Sequence, residues 1–92
     1  MVYILVDVIR AEYIEANHIH ITFENGVSGV VDFTKYRNQG GIFEKLKDEE
    51  YFRSFTVDEE IGTISWFGVV DIAPETLYED VLNQQSNELA LA

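Results

Sequence analysis

Asp71-Ile72-Ala73-Pro74-Glu75-Thr76-Leu77-Tyr78 begins five residues after the only tryptophan, Trp66, and its reading decides the fold. Proline suits the first turn of a helix, where its missing N–H costs nothing and its φ is already helical. Glu75 at that end suits the helix dipole, and Asp71 is expected as the cap or turn-former just before it. Leu77, Tyr78, Val81 and Leu82 then form one apolar stripe, which predicts a helix over residues 74–83 that closes over a sheet. The polar run Asn83-Gln84-Gln85-Ser86-Asn87 is expected to end it, leaving residues 84–92 as a mobile tail.

Upstream of that helix the chain reads as strands punctuated by turns. Residues 2–14 suggest a first strand with Val6, Val8 and Tyr13 inward and a bend near Arg10-Ala11, where the alternation slips. Residues 17–24 alternate cleanly, with Ile19, Ile21 and Phe23 on one face and His18, His20, Thr22 and Glu24 on the other. A two-residue Asn25-Gly26 loop would mix apolar and polar residues on both faces of the hairpin. A three-residue Glu24-Asn25-Gly26 loop, with Gly26 left-handed in a bulge, instead groups these apolar residues with Val27, Gly29, Val31 and Phe33. It sets Asp32 across from His18 and Val30 across from His20.

Thr34 to Gly41 reads as a loop, and Ile42, Phe43 and Leu46 as a short helical turn continued by Tyr51 and Phe52. Residues 55–58 and 61–67 suggest another strand pair, turned by Asp58-Glu59-Glu60-Ile61-Gly62. The expected architecture is α+β: one antiparallel sheet of four or five strands, a short middle helix, and the C-terminal helix packed on the sheet. Residues 1–83 make a single domain, because 92 residues bury roughly 60 to 65% of the unfolded chain's surface, enough for one core.

The chain has no cysteine, which excludes disulfides, thiolate catalysis and cysteine-ligated zinc. The run Val2-Tyr3-Ile4-Leu5-Val6 is too short to span a bilayer and lacks a basic flank, so a cytoplasmic protein with no membrane contact is expected. The net charge of −11 is uneven: five of the six basic residues fall within residues 34–53, and thirteen acids face a lone Arg10 elsewhere. Nucleic-acid affinity comes mainly from cations displacing counterions, so this field argues against direct DNA or RNA binding. It suits a protein partner with a basic surface, and it equally keeps a small protein soluble. A homo-oligomer is left open.

Few residues suggest chemistry. His18 and His20 share a strand face, and Asp32 or Glu24 would complete a minimal three-ligand metal set; the plainer reading is a polar strand face. Gly40-Gly41, near Arg37 and Lys45, suggests an anion cradle or, more simply, a loop. Asp48-Glu49-Glu50 and Asp58-Glu59-Glu60 lack the spacing of a calcium loop and read as solvated turns. There is no nucleophile elbow, P-loop or dinucleotide fingerprint. Trp66 is expected in the core; Phe67, its neighbour on a strand and so facing the opposite way, is left open between the core and an exposed aromatic platform for a partner.

Phe23-Glu24-Asn25-Gly26, Val31-Asp32-Phe33, Phe43 with Leu46, Phe52, Trp66 and the octapeptide with Asp71, Pro74, Leu77 and Tyr78 resemble the small bacterial proteins catalogued as domain of unknown function 2442. The resemblance covers residues 5–79. It departs at Phe67-Gly68-Val69-Val70, where members carry a Pro-Asn-Gly-like turn, so the bend between Trp66 and Asp71 is expected to be less tight. Longer relatives carry a C-terminal helix-turn-helix domain, which these 92 residues do not include, and some are encoded beside toxin–antitoxin-type partner genes. The resemblance implies no activity and no cofactor. The expectation that follows is a non-catalytic acidic interaction module, antitoxin-like or an adaptor. A small enzyme or metal-binding protein using His18, His20 and Asp32 is the alternative.

Overall fold

The computed structural model describes residues 6–91, with side chains through residue 84. The first part of the expected strand over residues 2–14, up to residue 5, therefore lies outside the described residues, as does residue 92 of the expected tail. Strands β1 (Val8–Glu15), β2 (His18–Phe23) and β3 (Ser28–Asp32) form one antiparallel sheet in that order. Helix α1 (Thr34–Arg37), a 3₁₀ segment (Gly41–Lys47) and α2 (Glu49–Arg53) follow. Strands β4 (Thr56–Asp58), β5 (Thr63–Trp66) and β6 (Val70–Asp71) make a second antiparallel sheet, and α3 (Pro74–Leu91) ends the described chain.

The α+β class matches the sequence reading, but the single sheet of four or five strands does not. Among the described residues, six strands divide into two sheets of three. The helical connection between β3 and β4 separates the two sheets along the chain, and the second sheet returns to pack beside β1. A backbone bond from Val8 N–H to the Gly62 carbonyl, at 2.9 Å, links β1 to the turn before β5. Gly62 has φ 69, and a Cβ there would lie 2.4 Å from Asp7 Oδ1, so any side chain would push Asp7 away.

The first hairpins show why alternation was readable in one strand and broken in the other. Along β2, Ile19, Ile21 and Phe23 are fully buried and the intervening residues are not. Its partner β3 pairs His18 with Asp32 and His20 with Val30, the register that the three-residue loop requires. Gly26 has φ 90, and Phe23 N–H bonds the Val27 carbonyl at 2.9 Å. In β1 the register against β2 shifts twice, between Val8 and Arg10 and between Tyr13 and Glu15. The residues left over, Ile9 and Ile14, are both exposed. Such bulges turn successive side chains out of alternation; the slip expected at Arg10-Ala11 instead falls on either side of it, at Ile9 and Ile14.

The expected loop over Thr34 to Gly41 holds for residues 38–40, but Thr34–Arg37 are the helix α1. Asp32 Oδ1 accepts from the Thr34 amide at 2.9 Å and from its hydroxyl at 2.5 Å, which starts α1 and places Tyr36 in the core. The turn over Ile42, Phe43 and Leu46 is the 3₁₀ segment; Leu46 is buried and Ile42 exposed. Asp48 caps α2, accepting the Tyr51 amide at 3.0 Å.

The last helix also corrects two expectations. Its N-cap position is Ala73, whose carbonyl takes the Thr76 and Leu77 amides at 3.0 and 3.2 Å; Asp71 sits in β6 opposite Ser65. Pro74 is the first helical residue, as its ring geometry demands. The polar run does not end the helix, which continues to Leu91. No Gly or Pro interrupts residues 83–91, and Gln, Glu, Leu and Ala propagate helix well. Leu77 and Val81 are fully buried, and Tyr78 meets Phe23 edge-on at 5.0 Å. No helix of the described residues is long and apolar enough to cross a membrane.

Candidate functional site

The polar face of the first sheet carries the histidines together, as alternation predicted. His18 Nε2 lies 3.8 Å from Asp32 Oδ2, and His18 Nδ1 is buried without a hydrogen-bond partner. His20 stands opposite Glu12 on one side and Val30 on the other. Among the described residues no three His, Asp or Glu side chains come close enough to hold a metal ion. Asp32 is occupied by Thr34, whose hydroxyl and then amide bonds, with His18 adding a smaller pull, hold its carboxyl below the usual range despite some burial. That contribution to stability is present above the unfolded carboxylate range and is lost as pH falls through the lowered value.

Two polar networks were hidden from the sequence because they join side chains far apart in it. In the first, Asp80 on α3, only 15% exposed in its side chain, accepts from Lys35 Nζ at 2.7 Å and from the Tyr36 hydroxyl. Burial first, and then the Asp80 carboxylate, push the Tyr36 phenol well above its ordinary value. The network fastens α1 to α3. In the second, the Arg37 guanidinium binds the Leu46 carbonyl, Asn17 Oδ1 and the Lys47 carbonyl at 2.7, 2.7 and 3.1 Å. Its side chain is 13% exposed, so the loop near Gly40-Gly41 has no Arg37 to offer an anion.

The turn between β5 and β6 is the unusual place. The expected slack bend is a tight one: Val69 N–H bonds the Trp66 carbonyl at 3.0 Å, with Phe67 at φ 57 and Gly68 at φ 70. Asn-Gly is the sequence that such a left-handed pair favours. A phenylalanine in its first position is a true outlier, costing about 1 to 2 kcal/mol. That cost is not repaid by burial, because Phe67 is 66% exposed while Trp66 beside it is fully buried.

Phe67 packs against Tyr51, ring centroids 5.1 Å apart and planes at 44°. The two rings, with Lys45, Asp48, Glu50 and Ser54, line a shallow groove of about 450 Å³. A doublet of aromatic side chains carries no signal of backbone handedness in a sequence, so only Gly68, one residue on, hinted at the turn.

Phe67→Asn is expected to stabilise the fold by about 0.5 to 1 kcal/mol, since relief of the left-handed strain exceeds the loss of one partly exposed ring contact. Urea melts followed by circular dichroism check this. A loss of stability would mean that the Tyr51 contact outweighs the backbone strain.

Fold and site together define a small α+β domain with an aromatic, acid-rimmed groove beside the β5–β6 turn. A family model for the protein of unknown function family DUF2442 matches residues 8–82, and the chain belongs to that family. Comparison with curated proteins and with solved structures gave no significant match.

Proposed function

We propose that this domain is a non-catalytic, acidic protein-interaction module, antitoxin-like or an adaptor, whose partner presents a basic surface. The observation that carries the reading is how the cations are spent. Lys35 pairs with Asp80, Arg37 with Glu49 and Lys47 with Glu44. Lys45 and Arg53 lie over the rings of Tyr51 and Tyr13, at 5.9 and 4.4 Å. Each cation of the basic segment thus has a carboxylate or ring beside it, while Glu12, Glu15, Glu24, Glu59, Glu60 and Asp71 remain exposed without an ion pair among the described residues. The outward field is acidic on a chain of net charge −11.

Such a field speeds encounter with a basic patch and repels phosphate. The domain is immobilised, its partners are captured at low salt, and each is identified and re-measured in purified form. Association is expected to slow at least tenfold between about 50 and 500 mM salt, as the screening length falls severalfold. Duplex DNA should give no binding at either salt. Salt-insensitive association, or DNA binding, would sink the reading.

A further inference from the structure

We infer that the groove beside the β5–β6 turn is an arginine-reading site, in which Phe67 and Tyr51 take the flat face of a guanidinium from an extended basic segment of a partner protein. This rests on the acidic-module reading and narrows it to one spot and one side chain. The backbone gives the first reason. Phe67 holds a left-handed φ of 57 and leaves its ring 66% exposed, so the fold bears strain to display an aromatic group and gains no burial from it.

The second reason is the chemistry around the ring. Tyr51 is held in place by its hydroxyl, which donates to the Trp66 carbonyl at 3.4 Å, and by the Asp48 cap on its amide. The Lys45 ammonium already stands 5.9 Å from the Tyr51 ring centre, so this ring accepts a cation in the isolated domain. Lys45 is exposed and makes no ion pair among the described residues, so it can give way. A planar, weakly hydrated guanidinium stacks on rings better than an ammonium does. Asp48 and Glu50 on the rim supply two carboxylates against the one ammonium, and Glu50 has no ion pair among the described residues. An arginine stacked across Phe67 would present its N–H edge to Glu50, and flanking basic residues would meet the acidic field.

The test uses the full chain, isotopically labelled, and an acetylated, amidated Gly-Ser-Arg-Gly-Arg-Ser-Gly peptide, with versions carrying Lys or citrulline in place of Arg, at about 50 mM salt. Shifts should concentrate at Glu50, Tyr51, Phe67 and Gly68. Affinity should fall by about threefold to tenfold for Lys and by at least about tenfold for citrulline. Phe67→Asn should weaken the Arg peptide by about tenfold with no fall in thermal midpoint, and Glu50→Gln should weaken it severalfold.

Equal binding by the Phe67→Asn variant would overturn the arginine site. If that binding stays salt-sensitive and spreads over the acidic surface, the broader acidic reading survives; if it ignores salt, both fail. Shifts at Phe67 that grow with protein concentration alone would show a second copy in the groove, and would also overturn the inference.

Discussion

Trp66→Ala is expected to lower stability by about 3 to 5 kcal/mol, a large share of the roughly 5 to 15 kcal/mol that holds a domain of this size together. The indole is fully buried between Phe33, Phe52 and Phe55, with ring centroids at 6.2, 6.2 and 6.4 Å. It joins the second sheet to α2 through its N–H, which donates to the Phe52 carbonyl at 2.7 Å in the interior. Truncation therefore opens a cavity and orphans a buried carbonyl together. Trp66→Phe separates the two effects: most of the volume stays, the carbonyl is left alone, and the cost should be about 1 to 3 kcal/mol. Urea melts followed by far-ultraviolet circular dichroism measure both, since the tryptophan signal is gone. A loss under about 1 kcal/mol for Trp66→Ala would mean that the two sheets do not share the core described.

What was legible in the sequence is what local pattern controls. The β2 face, the hairpin register, the buried Trp66 and the proline start of α3 follow from alternation, turn handedness and fixed φ, each set by a few neighbouring residues. The division into two sheets was not legible, because it depends on where the helical connection delivers β4, and no local pattern in residues 34–55 states that. The start of α1 was missed for a different reason. Its signal is the side chain of Asp32, which the strand pattern had already assigned to a polar face opposite His18, yet the same carboxylate also gathers Thr34.

Of the candidate site, the histidine pair was foreseen in position but Asp32 was found committed to Thr34. The sequence leaves Phe67 open between the core and an exposed surface, and the structure exposes it. Its left-handed backbone turns an ordinary exposed residue into a displayed one, and conformation of that kind follows from closing the β5–β6 hairpin over Phe67, Gly68 and Val69. The departure from the family's usual turn sequence pointed to this place and suggested the opposite geometry.

Arg37→Ala is expected to cost about 2 to 4 kcal/mol, most of it from acceptors left without donors. The Leu46 and Lys47 carbonyls and Asn17 Oδ1 all converge on one guanidinium, which also lies 4.4 Å from the Phe52 ring centre. The Glu49 pair adds little, since that carboxylate is 54% exposed and screened. The fork is what counts, and Arg37→Lys tests it: a single ammonium cannot reach acceptors on three separate residues, so it should recover less than half of the loss. Urea melts give the size, and amide exchange should show the 3₁₀ segment opening before the sheets do. Recovery to within about 0.5 kcal/mol of the parent by Arg37→Lys would show that charge and not geometry matters. The same geometry bears on function, because an arginine locked inward cannot greet a phosphate. Millimolar phosphate should therefore leave the thermal midpoint of the parent protein unchanged, whereas an anion site at Gly40-Gly41 would raise it.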